Sequence, residues 1–110
     1  MTATSTANSP VEGSTPLGIE VFGLAGRTAL VTGAGGGVGA AVAEAFAAAG
    51  AAVLVTDIDS AAATTVVDRI TERGGVAQPF VLDVTDAGNA REAAAAAAQL
   101  GGGTLNIVVN

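Results

Sequence analysis

Glycines recur at short intervals between a predicted strand and a predicted helix. The segment Thr28–Val31 is short, apolar and partly β-branched, which predicts a buried strand, and apolar residues recur at helical spacing across 38–50. Between the two lie Gly33, Gly35, Gly36, Gly37 and Gly39. Glycine keeps no side chain in front of the amides of a helix N-terminus and tolerates positive φ in a tight bend. This arrangement predicts a turn that binds the diphosphate of a dinucleotide.

Three of these glycines have distinct predicted roles. Gly33 makes the bend at the end of the strand, Gly37 lets the diphosphate approach the backbone, and Gly39 lets the helix pack against the strand. The helix dipole adds partial positive charge where the phosphates would lie. Thr32 and Val38 flank the glycines and belong to the same predicted site. Because glycine clusters also occur in surface turns that bind nothing, the motif alone leaves both interpretations open.

An acidic residue follows the second predicted strand, which spans 51–56. Asp57 stands eighteen residues after Gly39, close to where nucleotide-binding folds carry an acid for the ribose. Its carboxylate could accept hydrogen bonds from both adenosine ribose hydroxyls and would repel a 2′-phosphate, which predicts NAD rather than NADP. Ile58, next in the chain, is included in the site. The alternative is that Asp57 caps the following helix, although Asp59 and Ser60 are better placed for that role.

A second acidic residue follows the third predicted strand, 76–82. Asp83 could accept a hydrogen bond from the adenine amino group, with the Val84 backbone alongside, or it could be an ordinary turn residue. Pro79 lies inside this strand and is compatible only with an edge position in the sheet. Such a position exists in a doubly wound sheet of order 3-2-1-4, so the proline favours this topology.

The remaining chain completes an alternation of strands and helices. Helices are predicted at 60–73 and 87–100, the second capped by Asp86, and a fourth strand at 105–110. The first helix is predicted to bury one apolar face, made of Val38, Val42, Ala45, Phe46 and Ala49. The fold class is therefore α/β, the N-terminal half of a doubly wound parallel Rossmann sheet. We expect residues 1–18 to form a flexible tail and 19–110 an incomplete NAD-binding domain.

Composition excludes several classes of function. Ten acidic residues against four basic ones predict a surface that repels nucleic acid and anionic membranes. The 110 residues contain no cysteine and no histidine, so thiolate nucleophiles and imidazole ligands are absent and no metal site is predicted. The first residues lack both the basic start and the long apolar core of a secretory signal, which predicts a cytoplasmic protein.

Four landmarks in order resemble one known family. Thr32-Gly33-x-x-x-Gly37-x-Gly39, Asp57, the pair Asp83-Val84 and the ending Leu-Asn-Ile-Val-Val-Asn are similar to the first half of a short-chain dehydrogenase/reductase of the typical single-domain branch. The resemblance covers 24–110. Asn110 resembles the first residue of the family's Asn-Asn-Ala-Gly motif. Glycines at 33, 36 and 39 also fit the extended branch, but Asp83-Val84 and Val-Val-Asn argue against it.

This resemblance implies an oxidoreductase that interconverts a small-molecule alcohol and a carbonyl by hydride transfer. NADP-preferring members often carry a basic residue where this chain has Gly36, which again predicts NAD. The family's proton donor is a tyrosine whose pKa a nearby lysine lowers, and the 110 residues contain neither. The chain is thus expected to be an N-terminal cofactor half-site with no catalytic residue, inactive alone, forming homo-oligomers only with the missing C-terminal half.

Other functions are compatible with part of the pattern. A complete small protein could bind an adenine nucleotide or a partner without catalysis. A phosphate-binding loop of the nucleotide-hydrolase type is excluded because it requires a lysine after the glycines. A methyltransferase loop usually places an acid before the first glycine, where this chain has Thr32. The fourth strand would leave an open apolar edge, so we expect the isolated chain to fold poorly or aggregate.

Overall fold

Strands and helices alternate throughout residues 23–110, the part of the chain that the computed structural model describes. The elements are β1 (Thr28–Val31), α1 (Gly37–Ala48), β2 (Ala52–Asp57), α2 (Ser60–Glu72), β3 (Val76–Val81), α3 (Ala87–Leu100) and β4 (Ile107–Val109). The strands form one parallel sheet in the order β3-β2-β1-β4. This confirms the predicted α/β class and strand order. The predicted tail at 1–18 lies outside the described residues.

The two central strands are buried along most of their length. Leu30 of β1 pairs with Leu54 of β2 on one side and with Val108 of β4 on the other. Pro79 lies in the outer strand β3, opposite Val55. The strand order confirms the edge position that the proline requires. An edge strand pairs on one side only, so an N–H that is missing from its free side breaks no hydrogen bond of the sheet.

Successive residues of β2 divide the core into two layers, because side chains alternate between the faces of a strand. Val53 and Val55 pack under α1 and α2 together with Val66 and Ile70, whereas Leu54 packs under α3. The α3 layer contains Leu30, Leu54, Leu82, Ala93 and Ala97. Helices thus cover both faces, as parallel sheets require. Burying a side chain such as Leu54 contributes about 1.5–3 kcal/mol.

The buried face of α1 differs from the predicted one. Ala40, Ala43 and Ala47 are buried, whereas Val38 is 66% exposed. Of the predicted face, Val42 and Phe46 are partly buried at the margin of the core. The prediction was wrong because every residue of α1 except Glu44 is apolar or glycine, so helical periodicity does not show which face lies against the sheet. Here alanines allow a close approach that larger side chains would prevent.

Several element boundaries also differ by one or two residues. Asp57 is the last residue of β2 rather than the residue after it, and Asn110 lies just beyond β4. β4 is shorter than predicted because an asparagine side chain replaces part of the ladder. Asn106 Oδ1 accepts from Thr28 N at 2.9 Å, while Asn106 N donates to Thr28 O at 3.0 Å.

A pair of ionic contacts connects the two helices on one side of the sheet. Glu44 of α1 accepts hydrogen bonds from Arg69 at 3.0 and 3.1 Å and from Arg73 at 3.3 Å. The arginine side chains are 44% and 73% exposed, so solvent screens both contacts.

Across 23–110, no helix combines the length and the apolar composition that crossing a membrane would need.

Candidate functional site

The predicted site residues follow the carboxyl ends of four parallel strands, which lie at one edge of the sheet. After β1 the chain turns through Gly33, which has φ 61°, and Gly37, which has φ 58°. Both values lie in the left-handed region that favours glycine. Between them, Ala34 is buried and its N–H donates to Thr56 O of β2 at 2.8 Å. This hydrogen bond attaches the turn to the C-terminal end of the neighbouring strand β2.

The N-terminus of α1 has unsatisfied backbone donors. Gly36 is its N-cap residue, and the first intrahelical bond runs from Ala40 N to Gly36 O at 3.2 Å. The amides of Gly37, Val38 and Gly39 therefore have no acceptor within the helix. Among residues 23–110 no side chain caps α1, and its first turn contains no acidic residue. These three N–H groups, at the positive end of the helix dipole, are available to an anion.

The other two helices of the described region are capped by acidic side chains. Asp59 accepts from Ala62 N at 3.2 Å at the start of α2, and Asp86 accepts from Asn89 N at 3.1 Å at the start of α3. The prediction that Asp86 caps a helix is confirmed. The alternative in which Asp57 caps α2 is wrong, because Asp59 occupies that position.

Two glycines of the turn differ in the space around them. A Cβ on Gly39 would overlap the carbonyl oxygen of Gly33, so α1 can approach the turn only with glycine at this position. A Cβ on Gly36 would have no neighbour within 4 Å, and its φ of −173° is extended backbone that any residue adopts. Gly39 is therefore required by packing, whereas Gly36 borders open space.

The carboxylate of Asp57 lies against the glycine turn. Its Oδ2 accepts from Gly35 N at 2.9 Å, and its Oδ1 accepts from Asp59 N at 2.9 Å. A carboxylate offers about four lone-pair positions, so acceptor capacity remains for further donors. Sequence reasoning did not find the bond to Gly35, because no local pattern indicates which amide of a neighbouring loop will face this acid.

Asp83 is part of a tight turn. Its Oδ1 accepts from the Thr85 hydroxyl at 2.6 Å and from Thr85 N at 2.9 Å, and its own N–H donates to Asn89 Oδ1 at 2.8 Å. The Thr85 hydroxyl, and then the Thr85 amide, lower the pKa of Asp83, against a small opposing effect of burial. Asp83 thus has the turn role that the sequence left open, and the described hydrogen bonds leave Oδ2 unused. The spacing Asp-x-Thr, typical of such turns, could have identified Thr85.

Asn110 is brought next to the end of β1. The Thr32 hydroxyl lies 3.2 Å from Asn110 Oδ1 and 3.3 Å from Val109 O, while Thr32 N donates to Val109 O at 2.9 Å. Thr32 thus connects the start of the glycine turn to the end of β4.

One large apolar side chain is exposed in each of three segments at this edge. Val38 follows β1 and is 66% exposed, Ile58 follows β2 and is 68% exposed, and Val84 follows β3 and is 65% exposed. Exposed aliphatic groups beside unpaired backbone donors suit a ligand with both apolar ring faces and charged groups.

Comparison with known proteins identifies the family. A family model described as short chain dehydrogenase matches residues 27–110. The chain belongs to the short-chain dehydrogenase family. It shares 48% identity over 80 residues with the probable oxidoreductase EphD of Mycobacterium tuberculosis, which is 73% of this chain and 13% of that protein. The methyltransferase alternative is therefore wrong.

Two further short-chain dehydrogenase relatives have more specific names. The 2,5-dichloro-2,5-cyclohexadiene-1,4-diol dehydrogenase LinX of Sphingobium indicum is 46% identical over 84 residues, covering 76% of this chain and 34% of LinX. A 7α-hydroxysteroid dehydrogenase, solved in complex with NADH and 7-oxo glycochenodeoxycholic acid, superposes with a TM-score of 0.76 at 41% identity. That match covers 80% of this chain and 34% of the solved one. The chain spans about a third or less of the length of these relatives.

Proposed function

We propose that residues 19–110 bind NAD in an oxidoreductase that interconverts an alcohol and a carbonyl by hydride transfer. The observation that carries this proposal is the uncapped start of α1, where three consecutive amides follow a glycine-rich turn. Family membership supports it, and so does the solved relative whose complex contains NADH. The described segment would supply the cofactor-binding part of such an enzyme.

The residues present fit a dinucleotide. The amides of Gly37, Val38 and Gly39 would hold the diphosphate, since Gly36, Gly37 and Gly39 carry no side chain that could block an approaching phosphate. Bound NAD would supply the hydride acceptor of the reaction. Thr32 and Asn110, which contact each other at the end of β1 and β4, would border the nicotinamide half.

The adenosine half would lie across the next two strands. The Asp57 carboxylate keeps acceptor capacity for the ribose hydroxyls, and the unused Oδ2 of Asp83 could accept from the adenine amino group. Ile58 and Val84, both exposed, would contact the faces of the adenine ring. This assignment uses one acid for the sugar and another for the base.

We propose that NAD is preferred over NADP. A 2′-phosphate would lie beside the Asp57 carboxylate, and two like charges 4 Å apart repel by about 1 kcal/mol in water and about 4 kcal/mol at an effective dielectric constant of 20. The position of Gly36, where NADP-preferring members often have a basic residue, offers no compensating charge.

The proton donor of the reaction is proposed to lie outside these 110 residues, which contain no tyrosine and no lysine. No residue of the described region is therefore assigned a catalytic role. The substrate is proposed to be a small-molecule alcohol or ketone and the location cytoplasmic. Nucleic acid and membranes are not proposed as partners, given the net charge of −6.

Titration calorimetry of the 110-residue chain tests the cofactor assignment. We expect NAD and ADP-ribose to bind with similar affinity, and NADP at least about tenfold more weakly. Addition of NADH and a ketone should give no oxidation of NADH. Equal affinities for NAD and NADP would contradict the role of Asp57. Absence of binding to all three ligands, in a sample that melts cooperatively, would contradict the proposed site.

A further inference from the structure

The amide of Gly35 points away from the proposed ligand and toward the neighbouring strand. Gly35 N donates to Asp57 Oδ2 at 2.9 Å. A Cβ on Gly35 would stand 2.8 Å from that oxygen and 2.7 Å from Ala62 Cβ in the first turn of α2. Gly35 therefore lies in a narrow space between Asp57 and α2, and its N–H is not among the donors offered to the diphosphate.

Asp57 is itself held from two sides. One carboxylate oxygen accepts from Gly35 in the turn after β1, and the other accepts from Asp59 N in the turn after β2. The side chain is only partly exposed, and it starts from the last residue of a central strand. Its orientation is thus fixed before any ligand arrives.

The bond to Gly35 matters because three glycines follow one another at 35–37. Fixing a residue's backbone costs about 1–2 kcal/mol, and glycine has the most freedom to lose. Without an anchor, a ligand would have to order this run when it binds. The bond to Asp57 orders the first of the three, immediately before the amides at the start of α1.

We propose that Asp57 is a positioning residue for the diphosphate as well as a ligand for the ribose. By holding Gly35, it keeps the following amides in the arrangement that an anion requires. This inference rests on the proposed function and extends it: removing the carboxylate should weaken the binding of a diphosphate ligand that has no ribose hydroxyls at all.

A pair of nucleotides separates the two roles. ADP carries the diphosphate and both adenosine ribose hydroxyls, whereas 2′,3′-dideoxy-ADP carries the same base and diphosphate without those hydroxyls. In Asp57→Ala neither acceptor remains, so the bonds from Gly35 N and Asp59 N are both lost. We expect this variant to bind dideoxy-ADP about fivefold to tenfold more weakly than the original chain, with an additional loss for ADP.

The same coupling can be broken from the other partner. Gly35→Ala keeps the carboxylate but places a methyl group against Ala62 and Asp57, and we expect it to weaken dideoxy-ADP binding by a similar factor. Adding Ala62→Gly removes the nearer of the two overlaps and should restore part of the affinity. Thermal melting of every variant identifies losses that come only from unfolding.

Amide hydrogen exchange provides a measurement without ligand. In the original chain Gly35 should exchange more slowly than Gly36, and in Asp57→Ala, which has no side-chain acceptor, this difference should disappear. The inference is overturned if Asp57→Ala weakens ADP binding but leaves dideoxy-ADP binding unchanged, or if Gly35 and Gly36 exchange equally fast in the original chain. The proposed function fails separately, if the original chain binds neither ADP nor NAD.

Discussion

The Asp83 carboxylate accepts both the hydroxyl and the backbone N–H of Thr85, at 2.6 and 2.9 Å. These bonds favour the ionised carboxyl and lower its pKa from the ordinary value of 3.8. Because the pKa is lower in the folded chain, the stability from this turn is present above pH 3.8 and is lost as pH falls through the lowered pKa.

Thr85→Val should raise the pKa of Asp83 toward 3.8, because it removes the larger of the two contributions and keeps the backbone bond. A carbon-detected NMR titration of the Asp83 carboxyl measures this change. Thr85→Ser, which keeps the hydroxyl, is the matched control and should leave the pKa low. An unchanged pKa in the valine variant would contradict the assigned cause.

The ionic contacts of Glu44 should contribute little to stability. Glu44→Gln removes the charge that pairs with Arg69 and Arg73, whose side chains are largely exposed. We expect the free energy of unfolding to fall by about 0.2–1 kcal/mol in low salt, and the difference to shrink in about 1 M salt. Urea unfolding measures both effects, with Glu72→Gln on the exposed surface of α2 as the control. A loss that persists in high salt would argue against an electrostatic origin.

Thr28 carries a buried hydroxyl that has no hydrogen-bond partner among the described residues. Thr28 is 1% exposed, and Gly101 at the end of α3 packs directly against its side chain. Leaving such a group unpaired costs about 1–3 kcal/mol, so Thr28→Val should stabilise the chain by about 1 kcal/mol. Gly101→Ala should destabilise it, since a Cβ there overlaps the Thr28 hydroxyl. A destabilised valine variant, measured by urea unfolding, would mean that the hydroxyl has a partner.

The outer edge of β4 should promote self-association. Within the described sheet, β4 pairs only with β1, and Val108 is 57% exposed. Apolar edge strands recruit further strands, and a lysine on the edge opposes this. We therefore expect Val108→Lys to raise the monomeric fraction in analytical ultracentrifugation. A monomeric original chain with a sharp, cooperative melt would contradict the expectation of aggregation.

The strand order could be predicted from the sequence because several local signals agree. Apolar strands separated by helices indicate a parallel sheet, and Pro79 indicates which strand lies at the edge. The turn after β1 was predicted from its glycines, and Gly33 and Gly37 do adopt positive φ. Each of these features depends on the conformational preferences of a few neighbouring residues.

Contacts between distant segments could not be predicted in the same way. The bond from Gly35 to Asp57 and the pairing of Thr28 with Asn106 each join two loops or strands whose mutual orientation the local sequence does not specify. The prediction of the buried face of α1 was wrong for a related reason. How closely Ala40 and Ala43 approach the sheet depends on the contact between Gly39 and the turn, which is a tertiary feature.

Diphosphate binding at the start of α1 is tested most directly by giving this helix the side-chain cap that it lacks. Gly36→Asp places a carboxylate at the N-cap, in extended backbone with open space around the new Cβ. It should accept from Gly39 N, as Asp59 and Asp86 accept at the other helices, and raise the free energy of unfolding by a few tenths of a kcal/mol. The same carboxylate would occupy the anion position and repel a diphosphate.

Titration calorimetry compares the NAD affinity of Gly36→Asp with that of the original chain. Gly36→Ala is the control for the added Cβ. We expect the aspartate variant to be at least as stable as the original chain and to bind NAD more than about tenfold more weakly, with a smaller loss for the alanine variant. An aspartate variant that is stable and binds NAD as tightly as the original chain would contradict the claim that the start of α1 holds the diphosphate.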